Sequence, residues 1–333
     1  MKSNKGIKNI SLGVIGCGEI AHLFARGVNK VDNCNILAGA SLTPGKAERF
    51  TNTHQIPRSY NDYQSLVNDN DIDAVYIATT HNFHFDNIKL CLEHGKHVLC
   101  EKPFTVNAQQ AETLIALADE NNCFMMECVW TRFLPAITHL SHLLSQGIIG
   151  KVQTVKANFS ISGDFPPDHR LRNKKLAGGA LLDLGIYPLT LADIVFGESP
   201  SGIQSSAVMS ESGIDESSCY LLEYGDDQRA ILSASFIIHA PTEATISGSQ
   251  GYIYIPDFLG AKELHLYLNN QPHKVVSFPF EEDENFTFEI SHAMECIRNN
   301  KKQSDILPLD KTAAMMTLMD TIRSQWGLKY IGE

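Results

Sequence analysis

Through residue 130 the chain alternates short apolar runs with segments whose apolar positions recur every three or four residues. Ile10–Ile15, Asn35–Ser41, Ala74–Thr79, His97–Cys100 and Phe124–Glu127 are apolar runs of strand length, and Arg58–Tyr60 is a shorter extended piece. Between them Glu19–Asn29, Pro44–His54, Asp62–Asn68, His84–Glu93 and Ala108–Glu120 carry the helical period. Pro44 falls in the first turn, where a missing N–H costs nothing. Strands separated by helices of this length predict βαβ units and a doubly wound parallel sheet, whose ligands bind beyond the carboxyl ends of its strands.

The pattern changes after residue 130. A helix is predicted at Ala136–Gln146, closed by Gly147 and Gly150, and β-branched and aromatic content then rises. Strands are predicted at Val152–Ile161, Ile203–Glu211, Ser217–Tyr224, Ala230–Phe236, Glu243–Ser247, Tyr252–Ile255, Leu264–Leu268 and Lys274–Phe278. Gly248-Ser249-Gln250-Gly251 reads as a hairpin between two of them. Helices are predicted at Gly179–Val195, Thr287–Asn299 and Lys311–Trp326. Consecutive strands without helices between them imply an open, mostly antiparallel sheet, so the second part is read as an α+β domain. The 333 residues therefore divide into an α/β domain, 1–130, and an α+β domain, 131–333. No linker rich in Pro or Ser separates them, which predicts a shared interface, the natural place for an active site.

Composition narrows the function. Hydrophobic residues make up 43% and charged residues 20%, which is globular rather than disordered. The balance of 27 Lys and Arg against 38 Asp and Glu leaves a net charge of −11, which repels phosphate backbones and argues against nucleic acid. No apolar run is expected to reach the roughly 18–20 residues a membrane span needs. Eight cysteines without a C-x-x-C pair read as buried thiols of a cytoplasmic protein. Lys2, Lys5 and Lys8 ahead of Val14-Ile15-Gly16-Cys17 imitate a lipoprotein leader, but Ile10–Ile15 is too short for its apolar region.

Those same residues have a better account. Gly16-Cys17-Gly18-Glu19-Ile20-Ala21 follows the first strand and opens the first helix. Gly16 suits the tight turn, Gly18 lets the backbone approach a pyrophosphate, and Ala21 allows close helix–strand packing. The N–H groups at the helix start then face the anion. The plainer alternative is a glycine turn needed only by the fold. At the end of the second strand, Ser41-Leu42-Thr43 carries no acid to hold a ribose 2′-hydroxyl. Ser41, Thr43 and Lys46 would accept a 2′-phosphate, so the reading favours NADP over NAD, mildly, since the stretch has no arginine.

Glu101-Lys102-Pro103 follows a buried-looking strand at the mouth of the sheet, which would set Lys102 near a nicotinamide; a surface lysine in a loop is the plainer alternative. Asp183 and Tyr187, inside Gly178-Gly179-Ala180-Leu181-Leu182-Asp183-Leu184-Gly185-Ile186-Tyr187-Pro188, lie four apart on one helical face. Tyrosine is a poor base unless a cation lowers its pKa, a part Lys102 would suit. The spacing fits equally a core tyrosine hydrogen-bonded to Asp183.

These features together resemble the Gfo/Idh/MocA family of oxidoreductases over nearly the whole length. The Gly16–Ala21 turn, Thr79-Thr80 with His84, Glu101-Lys102-Pro103 and Asp183-x-x-x-Tyr187 carry the resemblance. Most members have His at the last position. Tyrosine there, with Glu127-Cys128-Val129-Trp130-Thr131-Arg132-Phe133, is similar to the branch holding dimeric dihydrodiol dehydrogenases and NADP-linked D-xylose dehydrogenases. Leu42 stands where the dihydrodiol enzymes carry an arginine. The resemblance implies an N-terminal Rossmann domain. It makes Tyr187 the acid/base, Lys102 its aid in proton transfer, and Asp183 the residue that orients substrate or tyrosine. It places Gly16, Gly18, Glu19, Ile20, Ser41, Tyr76, Thr79, Thr80, His84, Glu101 and Lys102 at the coenzyme. Trp130 would line the substrate pocket, and Arg170 or Arg172 would reach the substrate.

The expected activity is an NAD(P)-dependent dehydrogenase acting on a hydroxyl or hemiacetal carbon of a sugar, polyol or dihydrodiol. The alternative is a coenzyme-sensing regulator without turnover, since the same fold includes a transcriptional repressor. An intact Lys102, Asp183 and Tyr187 set favours the enzyme. An exposed face on the antiparallel sheet suits a homodimer or homotetramer. His81, His84, His94 and His97 are close in sequence, but His94 and His97 flank a different strand, so no metal site is expected. Glu281-Glu282-Asp283-Glu284 reads as a solvated loop, Cys17 as a space-filler whose thiol the helix start would acidify, and Met315, Met316 and Met319 as core.

Overall fold

A computed structural model describes residues 8–225, 227–281, 284–331 and 333. Lys2, Lys5, Glu282 and Asp283, on which two of the readings above fall in part, lie outside the described residues. The chain forms two compact units. One comprises Met1–Phe104, Gln109–Cys128 and Glu281–Leu309, the other Thr105–Ala108, Val129–Phe280 and Asp310–Glu333.

In the first unit, strands β1 (Ile10–Ile15), β2 (Cys34–Ala40), β3 (Arg58–Tyr60), β4 (Ala74–Ile77), β5 (His97–Glu101) and β6 (Met125–Cys128) form one sheet in the order β3-β2-β1-β4-β5-β6. Every pairing is parallel. This is the Rossmann order, with its reversal between β1 and β4. Parallel strands covered on both faces need near-continuous apolar sequence, and β4 and β6 are buried throughout. Helices α1 (Glu19–Val28), α2 (Lys46–His54), α3 (Tyr63–Val67), α4 (His84–Glu93) and α5 (Ala108–Glu120) follow their strands in turn, although the chain of α5 enters from the second unit at Ala108. Helix α2 begins two residues later than the apolar pattern predicts, because Gly45 turns left-handed at φ 70° and Pro44 stays outside.

The sequence division at residue 130 puts α8 (Thr287–Arg298) in the second domain, but its segment returns to the first unit and packs on α1. The periodicity of α8 marks an apolar face without saying which surface will cover it.

In the second unit, β7 (Val152–Ser160), β8 (Gly202–Met209), β9 (Asp215–Tyr224), β10 (Gln228–Ser235), β11 (Ala244–Gly248), β12 (Gly251–Ile255), β13 (Glu263–Leu268) and β14 (Lys274–Ser277) form an eight-stranded sheet in the order β14-β13-β12-β11-β7-β10-β9-β8. The Ser249–Gln250 hairpin joins β11 to β12, with Gly248 opposite Gly251. All pairs are antiparallel except β7 with β10, which run parallel because the chain crosses over through α7 (Ile186–Phe196) after β7. Val155, Ala157 and Phe159 of β7 and Ala230, Leu232 and Ala234 of β10 are buried on the face that α7 covers. Helices α6 (Pro135–Ser145) and α9 (Leu309–Ser324) complete the secondary structure named for this unit, Leu309 itself belonging to the first.

Contrary to the expectation of no apolar run long enough, Lys174–Phe196 has the length and composition to cross a bilayer, but 78% of its apolar window is buried inside the protein. It is the core stretch that carries α7.

Candidate active site

The coenzyme half is built from backbone. Gly16 sits at φ 90°, and a Cβ there would come within 2.7 Å of the Ala78 carbonyl, so only glycine lets the β1 turn pass the end of β4. Gly18 caps α1 without a side-chain hydrogen bond, and a Cβ on it would meet only Lys46 Nζ, at 3.9 Å. The first turn of α1 thus has no side-chain cap, Ala21 donating to the Gly18 carbonyl at 3.0 Å, and an ammonium stands beside Gly18, as an anionic group requires. This open cradle fits a dinucleotide pyrophosphate. Glu19 and Ile20 open α1, the first exposed and the second half-buried. Ser41, nearly buried, accepts the Thr43 N–H at 3.2 Å, which shapes the loop after β2. Burial pushes the Cys17 thiol up to about 12 despite the nearby Lys46 charge, and its Sγ lies 3.4 Å from the Ala40 carbonyl. The expected acidifying pull of the helix start loses to desolvation, so Cys17 fills space.

Lys102 stands in a loop pinned on both sides, with a cis peptide to Pro103. Tyr76 donates to Glu101 Oε1 at 2.6 Å, Glu127 Oε1 accepts the Phe104 N–H at 3.0 Å, and His84 Nδ1 lies 2.9 Å from the Pro103 carbonyl. His84 Nε2 lies 3.1 Å from the Thr79 carbonyl, and Asn87 donates to Thr79 Oγ1 at 3.1 Å. The His84 pKa falls to about 4, chiefly by burial and then by His81. Neutral imidazole has one N–H, so it donates to one of its two carbonyls at a time. Thr80 is bonded to Asn82 at 2.8 Å, and both threonines keep partly open surface.

The resemblance sets Tyr76 and His84 at the coenzyme, but both are fully buried, and Tyr76 stacks on Phe24 with centroids 3.5 Å apart. They have no surface of their own to offer; they hold the loops that carry Thr79 and Lys102.

A separate cluster of polar and aromatic side chains, brought together from positions apart in sequence, lies in the second unit. Asp183 sits in a π-turn, Leu181–Gly185, that runs into α7. Such turns often mark functional sites. Arg170 grips Asp183 with two bonds of 2.8 and 3.1 Å, a bidentate pair in which the arginine side chain stays 47% exposed and the acid 5%. Arg172 instead pairs with Glu216 at 3.1 Å. Tyr187, buried between Trp130 and Phe159 rings at centroid distances of 6.3 and 5.6 Å, accepts the Trp130 indole N–H at 3.1 Å. The Trp130–Phe133 turn is tied to α7 by Arg132, 2.7 Å from Asp193, and Lys311 reaches the same acid at 2.9 Å. The indole N–H thus stands as a donor to the phenol oxygen, where it would meet any negative charge formed there.

The chain matches known proteins in sequence and in fold. Residues 10–128 match the oxidoreductase family with an NAD-binding Rossmann fold, and residues 137–254 match the GFO/IDH/MocA C-terminal domain. Trans-1,2-dihydrobenzene-1,2-diol dehydrogenase of Xenopus tropicalis is 32% identical over 96% of this chain and 98% of its own. The chain belongs to the Gfo/Idh/MocA family of oxidoreductases. The Homo sapiens protein of the same name is 30% identical over 96% of this chain and 97% of its own. Among solved structures, a levoglucosan dehydrogenase with NADH and levoglucosan (TM-score 0.88, 17% identity, 96% and 97% coverage) and an aldose-aldose oxidoreductase from Caulobacter crescentus (0.87, 21%, 96% and 99%) share the fold. As a member of the Gfo/Idh/MocA family the protein is an NAD(P)-dependent dehydrogenase or reductase acting on CH–OH groups.

Three of the four neighbouring histidines have separate hydrogen-bond partners, and the His81 ring lies edge-on to His84 with centroids 5.9 Å apart. His84 is enclosed as above, His94 contacts the Leu90 carbonyl at 2.8 Å and Gln64 at 2.7 Å, and His97 accepts the Phe124 N–H at 2.9 Å. Sequence reading missed the Trp130–Tyr187 bond and the Arg132–Asp193 tie. The one available signal was Trp130 and Arg132 standing two apart in a short turn, which does not reveal a partner sixty residues on.

Proposed function

We propose that this protein oxidises a secondary hydroxyl or hemiacetal carbon of a sugar, polyol or trans-dihydrodiol, with Tyr187 as acid/base and NADP as the favoured coenzyme. The Trp130 N–H held on the Tyr187 oxygen, beside an Asp183 carboxylate fixed by Arg170, carries the reading. Its substrate class follows the names of the dihydrodiol dehydrogenase relatives and of the sugar-oxidising structures that share the fold.

A bound nicotinamide supplies the hydride exchange with the carbinol carbon. Gly16, Gly18 and the start of α1 would hold the pyrophosphate, Ser41 and Lys46 the adenosine side, and Thr79, Thr80 and Lys102 the nicotinamide side. Tyr187, as phenolate, takes the hydroxyl proton as the carbonyl forms and becomes the neutral phenol, and the Trp130 N–H stabilises the phenolate that precedes the transfer. Asp183, oriented by Arg170, accepts a second substrate hydroxyl, and the Trp130 ring gives the substrate a flat wall. Lys102 would contribute positive charge on the nicotinamide side.

Two further expectations belong to this reading. Eight unpaired thiols suit a cytoplasmic location. Val208, Ile231, Tyr252 and Val275, each 40–55% exposed on the eight-stranded sheet, suit pairing with a second copy, hence a homodimer or homotetramer. The test is an absorbance assay of nicotinamide reduction with NADP and NAD in parallel against aldoses, inositols and a trans-dihydrodiol. Turnover with one class names the substrate. Coenzyme binding without turnover on any of them overturns the enzyme reading in favour of a regulator.

A further inference from the structure

Beneath the π-turn that carries Asp183 lies a second acid that the mechanism does not use. Asp215, at the start of β9, is fully buried. Its Oδ2 accepts the Leu181 N–H at 2.7 Å and the Ser218 hydroxyl at 3.2 Å. Ser218 in turn meets the Tyr220 hydroxyl at 2.6 Å, and that hydroxyl occupies the space a side chain on Gly185 would need, 2.5 Å from a Cβ there. Asp215 Oδ1 lies 2.3 Å from where a Cβ on Gly179 would stand, and Gly179 is at φ 127°. Tyr330, from the end of the chain, donates to the Gly178 carbonyl at 2.8 Å. A Cβ on Gly178 would lie 2.4 Å from the Arg170 carbonyl, so the same glycine pair is pressed against the backbone that presents Arg170.

These contacts share one consequence. The backbone from Gly178 to Leu181 is held from one side by Asp215 and Tyr330 and from the other by the Arg170–Leu171 backbone. Arg170 leaves that backbone to grip Asp183, two residues beyond Leu181. Tyr220 supports the turn at Gly185, two residues before Tyr187. A shift of Leu181 therefore moves both functional side chains of α7 and its entry. A buried carboxylate without a pairing cation is costly, and burial raises the Asp215 pKa to about 7. A group carrying that cost has no packing reason to be an acid.

We propose that Asp215 is a positioning residue: by capping Leu181, with Tyr330 securing Gly178, it fixes the π-turn so that Asp183 and Tyr187 face the substrate. The assignment rests on the dehydrogenase reading above. Asparagine keeps an oxygen for the Leu181 N–H, whereas alanine leaves that N–H buried and unmet.

The test compares Asp215→Ala, Asp215→Asn and Tyr330→Phe with the parent protein. Circular dichroism and melting confirm folding, fluorescence titration with NADPH gives coenzyme affinity, and steady-state kinetics separate kcat from KM. Misplacement of reacting groups by about 1 Å costs on the order of 100-fold, so kcat of Asp215→Ala should fall about 10–100-fold with NADPH affinity unchanged. Asp215→Asn should restore kcat to within about threefold of the parent, the cost expected where a capping acceptor is kept. Tyr330→Phe should lower kcat by about 3–10-fold, the worth of one hydrogen bond.

A folded Asp215→Ala with parental kcat overturns the proposal, as does an Asn variant no better than Ala. If Ala does not fold, parental kcat in Tyr330→Phe or a dead but folded Asn variant overturns it equally. Absence of turnover in the parent protein would instead count against the dehydrogenase reading, while parental turnover retained in all three variants counts only against this one.

Discussion

Replacing Tyr187 with Phe removes one oxygen and leaves the ring. The ring keeps its edge contacts with Phe159 and Trp130, at 5.6 and 6.3 Å. What goes is the acceptor of the Trp130 N–H. Trp130 is only half-buried, so water can replace the lost partner and the cost should be about 1 kcal/mol, the net worth of one hydrogen bond. A loss of that size lowers Tm by about 2–4 °C in a large domain, leaving the variant folded. Catalysis should suffer far more. Positioned proton transfer is worth about 10²–10⁴ in rate, or about 2.7–5.4 kcal/mol of barrier. The coenzyme cradle lies in the other compact unit, so NADPH affinity should not change. The assay is kcat by nicotinamide absorbance, paired with NADPH titration and a thermal melt. A folded Phe variant that binds NADPH and turns over at the parental rate would refute the assignment of Tyr187.

Three further outcomes are expected. Gly16→Ala should cost more than about 2 kcal/mol and abolish coenzyme binding, since its φ of 90° is unfavourable and the obstructing atoms at 2.7 Å are backbone; melting and NADPH titration read both. Lys46→Ala should weaken NADPH by about 10–100-fold, the loss of a charge-assisted hydrogen bond, and NADH by less, since only NADPH adds the 2′-phosphate, which fluorescence titration of both coenzymes decides. Glu289 is fully buried with no partner for either carboxyl oxygen, and burial and then the Glu101 charge raise its pKa well above the usual 4.5. The folded state therefore holds a proton the unfolded state has released, and the stability this acid allows is present below pH 4.5 and lost as pH rises through the folded pKa. Glu289→Met should raise Tm near pH 8 more than near pH 5, and an equal or reversed effect in parallel melts would refute it.

How much of this was legible in the sequence divides by the kind of information each element carries. Strands β1 to β6 and their helices follow from local period, because a parallel sheet covered on both faces demands uninterrupted apolar runs. The parallel pairing of β7 with β10 was not legible: the period-2 pattern of a strand is blind to the direction of its neighbour. The return of Glu281–Leu309 to the first unit was hidden for the same reason, since amphipathicity names a face but not its cover.

The functional residues divide along the same line. The coenzyme cradle is made by glycines, whose requirement is local and so is written where it acts: Gly16 is needed because of the turn it occupies. The cluster in the second unit is made by pairs separated by 13 to 61 residues of chain: Trp130 with Tyr187, Arg132 with Asp193, Arg170 with Asp183, Asp215 with Leu181. Each member has an ordinary alternative as a surface charge or core ring, and only the packed sheet and α7 make it specific. The same contrast bears on where change is tolerated. A backbone cradle fails through substitutions at its own few positions, whereas a site of tethered side chains also fails through residues that never touch substrate. Arg132 and Asp215 are such residues, and their variants should alter kcat while the coenzyme cradle continues to bind.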